Sequence, residues 1–337
     1  MFIFVFYYIP VSMIAQAATR FEVLQTLESY ISENLSVWLK SVEDSWQPAD
    51  LLPDSLNENF FEEIKTLRER ARELSYDLLA VLVGDTITEE ALPTYEAWLM
   101  STEGFKNNEE NGWTKWVRAW TAEENRHGDL LNRYLYLSGR INMREMEVST
   151  QYLISDGFDL QTGNDPYRSF IYTSYQETAT NLSHRRVAAI AKKEGDTVLA
   201  KLCGFVAADE ARHAKAYKAF VSKIMEIDPN EMMLAFEDMM RKKIVMPAHY
   251  MREMGTNIGQ TFGHFTDAAQ RIGVYTSADY VDILEGLIDE WKIELVTGLD
   301  DKGERARDYI MNLPTRLKRV AERMKVPQLE YKFRWIG

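Results

Sequence analysis

Two tetrapeptides carry the groups of this chain best suited to hold a metal: Glu124-Asn125-Arg126-His127 and Glu210-Ala211-Arg212-His213. Residues three apart on a helix share a face, so each presents a carboxylate beside an imidazole. One Glu-x-x-His alone is weak evidence, because chance supplies it readily in a glutamate-rich chain. The upstream glutamates make the pattern specific. Glu89 precedes the first tetrapeptide, and Glu177 the second, at nearly the same remove, with room between for a loop and an antiparallel return. The chain thus writes one unit twice: a lone Glu, then Glu-x-x-His. Four helices giving Glu, Glu-x-x-His, Glu and Glu-x-x-His form the donor set of carboxylate-bridged di-iron and di-manganese bundles. Four bare carboxylates in a bundle core would be prohibitively costly, and two divalent ions would neutralise them. Carboxylate and imidazole without thiolate favour iron over zinc. Two irons so bridged can hold O2 and give it two electrons, which opens the oxidation of an unactivated alkyl chain, beyond any amino-acid acid or base. The plainer reading is surface glutamates beside satisfied histidines; two motifs and two spacings would then have to coincide.

Helical periodicity supplies the elements that must position these groups. A helix is expected over 20–40, a proline-broken loop over Trp46–Pro53, an amphipathic helix over 57–73 and an apolar one running from Leu78 towards Glu89. Pro93 cannot donate to the Glu89 carbonyl, so a kink or a helix start is expected there. A polar turn over 107–112 leads into a motif helix over 113–138, which Gly139 ends. Further helices are expected over 143–155, 167–193, 197–227, from Pro229 to the basic run Arg241-Lys242-Lys243, over 278–296 and over 300–324. No stretch shows sustained period-two alternation and no glycine-rich phosphate loop occurs. The expected architecture is all-α, a four-helix core wrapped by additional helices.

The 337 residues are 46% hydrophobic and 27% charged, with net charge −13. That balance describes a globular chain and argues against nucleic acid as the main partner. The single cysteine, Cys203, excludes an internal disulfide and a self-contained iron–sulfur cluster, and fits a reducing compartment. Residues 1–19 carry no charged side chain. No basic residue precedes this apolar run, as a signal peptide requires, and Pro10 and Gln16 make it a poor membrane span. It reads as an apolar arm or a start mis-assigned upstream of Met13, ahead of one domain over 20–337, with no stable membrane insertion.

The stretch Trp120-Thr-Ala-Glu-Glu-Asn-Arg-His-Gly-Asp129 resembles the signature of the soluble acyl-acyl-carrier-protein desaturases, the stearoyl type of plastids and its bacterial relatives. So do Val83-Gly-Asp-Thr-Ile-Thr-Glu-Glu-Ala-Leu-Pro-Thr-Tyr95, Phe170-Ile-Tyr-Thr-Ser-Tyr-Gln-Glu177, Ala207-Ala-Asp-Glu-Ala-Arg-His213 and Asp238-Met-Met-Arg-Lys-Lys243. The likeness runs from about Phe21 to the C-terminus. It implies a ferritin-like di-iron bundle in which Glu89, Glu124, His127, Glu177, Glu210 and His213 hold two Fe ions, with Glu124 and Glu210 as bridges. It further implies that Thr180 faces the dioxygen site, that Asp209 orients His127, and that Trp46 with Asp209 admits electrons. Read without the family, Thr180 would bond its own backbone and Trp46 would be a packed aromatic. The implied reaction places a cis double bond in a chain on acyl carrier protein, using O2 and reduced ferredoxin. A homodimer in a bacterial cytoplasm, or alternatively in a plastid stroma, is also implied.

A long acyl chain needs an apolar tunnel beside the metals, for which Tyr95, Trp98, Leu99, Met100, Tyr172 and Tyr175 are candidates. Arg241-Lys242-Lys243 and Arg316, Lys318 and Arg319 are candidates for meeting an acidic carrier. His184, two turns past Glu177 on the same face, is expected as a hydrogen-bonded core histidine, with support of a ligand as the alternative; His249 and His264 are the others. Departures from the plant pattern at Trp98, in the loop 105–112 and in the N-terminal arm bear on chain length and double-bond position. A ferroxidase and a ribonucleotide reductase radical subunit are the competing readings.

Overall fold

A computed structural model of the chain describes residues 11–105, 111–326, 328 and 331–337. In chain order α1 is Val11–Trp38, α2 Pro48–Leu51, α3 Phe60–Arg72, α4 Tyr76–Glu90, α5 Leu92–Met100, α6 Gly112–Ser138 and α7 Met143–Asp156. There follow α8 at Pro166–Lys193, α9 at Thr197–Ile227, α10 at Pro229–Lys242, α11 at Gln260–Ile272, α12 at Ser277–Glu290 and α13 at Asp301–Ala321. Among the described residues no strand forms; Ile141 and Ile336 make one isolated antiparallel bridge. Nor, among them, is any helix long and apolar enough to cross a membrane.

The long helices start and stop where their sequences say. The Asn111 side chain accepts from the backbone of Trp113 and Thr114 at the head of α6, and Asp165 caps α8 from Tyr167 and Arg168 ahead of Pro166. Asp196 caps α9 at Leu199 and accepts the Tyr134 hydroxyl at 2.6 Å, which ties α9 to α6. Such caps satisfy backbone donors that a helix start leaves open. The chain breaks between α4 and α5 at Ala91, two residues after Glu89, as Pro93 requires. Gly128 lets α6 lie against this break: a Cβ there would stand 3.2 Å from the Glu89 carbonyl carbon.

α4, α6, α8 and α9 form the core, and their apolar residues fall into two clusters. Trp116, Trp120, Phe170, Tyr217 and Phe220 belong to one; Leu82, Leu130, Tyr134, Leu202 and Val206 belong to the other. Along α6 the order is apolar cluster, Glu124 and His127, apolar cluster, and α9 runs through the same layers in reverse. The acidic residues therefore occupy a thin layer between two dry ones, where water is scarce and a charge must find a partner inside the protein.

Three elements differ from expectation. A short helix, α2, forms inside the expected loop, with Pro48 at its first turn, where a missing N–H costs nothing. The helix expected over 278–296 stops at Glu290; Lys292 takes a left-handed conformation (φ 49°) and a 3-10 turn follows at Ile293–Leu295. α11 was not expected at all, because Gly263 lies inside it and Gly259 and Gly273 flank it, diluting its helical signal. Residues 106–110, in the expected polar turn, lie outside the described residues, as do 1–10; α1 itself begins at Val11, within the expected arm.

Candidate metal centre

All six repeated residues meet. Glu89, Glu124, His127 and Glu210 bring one ligand atom each to within 4.8 Å of one another, and so do Glu124, Glu177, Glu210 and His213. Glu124 and Glu210 belong to both groups, the position of bridging carboxylates. Both imidazoles turn Nδ1 inward. His127 Nδ1 lies 3.1 Å from Glu124, 3.2 Å from Glu210 and 3.9 Å from Glu89. His213 Nδ1 lies 2.7 Å from Glu124 and 3.7 Å from Glu177. The two rings are 6.2 Å apart.

This geometry fits a metal pair better than a hydrogen-bonded cluster. His213 Nδ1 and Glu124 Oε1 are close, yet neither finds a hydrogen-bond partner, although both are buried. A pair of buried polar atoms left without hydrogen bonds is costly unless an ion takes them up. The electrostatics agree. Burial opposes charge on both imidazoles, but Glu124 and its neighbours outweigh it and hold both pKa values well above the ordinary range. Burial raises Glu89 to about 7 and Glu177 far above normal, whereas His127 and His213 overcome burial and bring Glu124 down to about 2. So many carboxylates in one buried layer demand positive charge beside them, which bound cations would supply.

The outward Nε2 atoms face acids of the opposite helix in a crossed arrangement; that of His213 is hydrogen-bonded and that of His127 is not. Asp209, on α9, stands 3.5 Å from Nε2 of His127 on α6, and Glu123, on α6, stands 3.0 Å from Nε2 of His213 on α9. Arg212 reaches Glu123 and Asp209, each at 2.6 Å, while Arg126 reaches Asp209 at 3.1 Å. Trp46 breaks the symmetry: its indole donates to Asp209 at 3.0 Å and stacks on His127 at 6.0 Å. On the matching side the backbone N–H of Lys40 serves Glu123. Thr180 bonds its own helix at 3.2 Å, and also donates to Glu210 at 2.7 Å.

Sequence reasoning missed Glu123, Arg126 and Arg212, although their signal was present. An acidic residue precedes each motif glutamate and an arginine precedes each motif histidine: Glu123-Glu124-x-Arg126-His127 and Asp209-Glu210-x-Arg212-His213. It missed Trp120, whose indole donates to Glu177 at 3.1 Å. His184 is buried and hydrogen-bonded as expected, and the partner of its Nε2 is Glu89 at 3.1 Å, a terminal carboxylate of the centre.

The tunnel candidates need correction. A half-enclosed, mostly apolar cavity of about 170 Å³ lies between α4, α8, α11 and the segment 244–249. Of the six candidates only Tyr95 lines it; Leu99, Tyr172 and Tyr175 are core, and Trp98 is pinned by Thr162 at 2.8 Å and by Tyr172. The unexpected helix α11 supplies the opposite wall through Phe262, Phe265 and Ala269. Thr88, Tyr95, Gln176 and Thr180 are shared with a second chamber of about 30 Å³ that touches Glu89, Glu124 and Glu210. That chamber has room for one or two water-sized molecules.

Comparison with known proteins accounts for this combination. Residues 19–337 match the model of a fatty acid desaturase family. The stearoyl-[acyl-carrier-protein] 9-desaturase of Spinacia oleracea is 51% identical over 91% of this chain and 77% of its own length. That of Ricinus communis is 52% identical over 90% and 77%. A palmitoyl-[acyl-carrier-protein] 4-desaturase of Ophrys sphegodes is 50% identical over the same shares. The chain belongs to the acyl-[acyl-carrier-protein] desaturases of the fatty acid desaturase family.

Proposed function

We propose that this desaturase places a cis double bond in a fatty acyl chain on acyl carrier protein, using two iron ions, O2 and electrons from a reduced ferredoxin. The observation that carries the reading is the junction of the two cavities at Thr88, Gln176 and Thr180. An apolar chain lying in the larger cavity would have its methylenes beside the small chamber on the carboxylates.

Glu89, Glu124, His127 and Glu210 would hold one iron and Glu124, Glu177, Glu210 and His213 the other; bound iron supplies the oxidising power that side chains lack. The chain's own residues do the rest. Asp209 and Glu123 fix both imidazoles with Nδ1 inward, and His184 and Trp120 aim the two terminal carboxylates. Thr180 places a hydroxyl on the chamber wall. Trp46, with Asp209 and His127 behind it, gives electrons a route from the surface that does not cross the acyl cavity. The carrier, a ferredoxin-type donor and a homodimeric assembly are the partners this reading implies.

The test is anaerobic iron loading, then incubation with stearoyl or palmitoyl carrier protein, reduced ferredoxin and O2. Mass spectrometry should find acyl chains lighter by two hydrogens, with the double-bond position read after derivatisation. Oxidation of iron without any unsaturated product would favour a ferroxidase, and a tyrosyl radical signal a reductase subunit.

A further inference from the structure

A carboxyl group stands in the wall of the apolar cavity, and nothing above uses it. Asp85 lies on α4 one turn before Glu89, and Ser183 of α8 donates to it at 3.3 Å. It heads a polar seam in an otherwise oily wall: Asp85 and Thr88 from α4 face Gln176, Thr180 and Ser183 from α8. Thr88, Gln176 and Thr180 also line the small chamber, where the Thr180 hydroxyl reaches Glu210. Burying a carboxyl beside an alkyl chain is costly and brings no affinity, which marks this one as a candidate for chemistry.

We propose that Asp85 supplies the solvent protons that each turnover consumes, handing them along the hydroxyls of Ser183 and Thr180 to the oxygen reduced at the metal pair. The inference rests on the O2-dependent reading above. Forming one double bond breaks two C–H bonds, which yields two electrons and two protons. A one-electron iron–sulfur donor supplies two further electrons. Reducing O2 to two waters takes four of each, so two protons must come from solvent. Asp85 is a carboxyl in the wall of the half-enclosed cavity.

The groups around Asp85 leave it suited to the task. Burial raises its pKa to about 6, against the pull of His184 and Ser183 and with the added push of Glu210. Cys203 faces it from α9, and His249, Tyr275 and Tyr280 stand around the same cavity; α11 contributes Phe262, Phe265, Thr266 and Ala269 and no charge. With a pKa of about 6 the carboxyl carries a proton in a minor share of molecules at neutral pH and exchanges it readily.

The experiment compares wild type, Asp85→Asn and Asp85→Glu as iron-loaded full chains with an acyl carrier protein, reduced ferredoxin and O2, across pH and in D2O. Wild-type kcat should fall on an alkaline limb as Asp85 loses its proton. Asp85→Asn should lower kcat at least tenfold, flatten that limb, change the solvent isotope effect and divert O2 to peroxide, with KM and bound iron unchanged. Asp85→Glu should restore most of the rate. A second readout needs no turnover. A carboxyl whose pKa is raised by folding loses stability as pH climbs from about 4 to about 6, so metal-free Asp85→Asn should melt above wild type at pH 7 and level with it near pH 4. An Asn variant within twofold of wild-type kcat at every pH overturns the proposal, as does a loss explained by KM or by missing iron. A wild-type chain that desaturates no acyl carrier overturns the desaturase reading and this inference together.

Discussion

Glu123 sits one residue before a bridging-type carboxylate of α6, yet it serves the histidine of the opposite helix, accepting from Nε2 of His213 at 3.0 Å. Asp209 stands in the mirrored place for His127. The His213 imidazole is therefore aimed by the helix that does not carry it, and His127 faces the corresponding acid of α9 at 3.5 Å. Replacing either acid by its amide should weaken divalent metal binding by about tenfold to a hundredfold. Cobalt titration of the metal-free chain measures it. Glu123→Gln and Asp209→Asn of wild-type affinity would show that the crossed contacts orient nothing.

The two acids should part company in reduction. Trp46 touches Asp209 and not Glu123; it stacks on His127 and lies under the Arg126 guanidinium, 4.4 Å from the ring. Trp46→Leu keeps an apolar filler but removes the indole donor and the π-system. It should slow reduction of the iron-loaded chain by an external donor at least tenfold, a loss of about 1.4 kcal/mol or more in barrier terms, while metal affinity stays near wild type. Stopped-flow bleaching of the oxidised centre reads the rate. Equal rates for Trp46→Leu and wild type would move the electron route elsewhere.

The six ligand-type residues were legible because a metal centre needs few residue types at helical spacing, and that spacing repeats. The core helices were legible for the same reason: α9 runs over the predicted span Thr197–Ile227. What was not legible depended on packing between distant segments. Which aromatic lines a cavity is decided by what faces it, and Tyr172 and Tyr175 face Val245 and Tyr280. His184 could not be assigned to Glu89 until α4 and α8 were brought together. The cavity's far wall rests on α11, whose glycines hide its helical period.

Gly84 shows how closely that wall fits. A Cβ at this position would come within 2.3 Å of the Phe265 ring, which α11 lays on α4. Gly84→Ala must push Phe265 aside, and the direction left to it is the cavity it lines. The substitution should cost about 1–3 kcal/mol, as overpacking does. It should also raise KM for the acyl carrier more than it lowers kcat. A thermal melt and steady-state kinetics test both, and an unchanged melting temperature would mean that α11 gives way freely.

Arg186 clamps α12 to α8 through Asp279, with contacts of 2.6 and 2.7 Å, and Asp279 also takes part in the capping box with Thr276. Burial works against the carboxylate, but Arg186 and Thr276 prevail and hold its pKa below the usual value. A pKa lowered by folding contributes stability that is full above the unfolded value, near 3.9, and is lost as pH falls through the folded one. Asp279→Asn should therefore cost about 2 kcal/mol at pH 7 and progressively less below about pH 4. Urea unfolding of wild type and variant at several pH values measures the gap. A gap that does not narrow in acid would assign the loss to packing.

The two basic runs named from sequence meet on one surface. Arg241 of α10 lies 3.9 Å from the Tyr309 ring of α13, and Arg316 approaches the same ring at 5.9 Å. Directly after Lys243 the chain dips into the cavity wall at Ile244 and Met246. An acidic carrier docked there could feed its acyl chain inward without crossing much of the surface. Glu237 and Asp238 already pair with Arg241 and Lys242, which lowers the charge on offer, while Lys243 beside them is exposed. Reversing all three charges should raise KM for the acyl carrier tenfold or more at low salt, and the difference should shrink as ionic strength rises. The same reversal at Lys192 and Lys193, in the last turn of α8, is the control for net charge alone. If both variants lose affinity equally, the carrier senses the field of the whole molecule and not this patch.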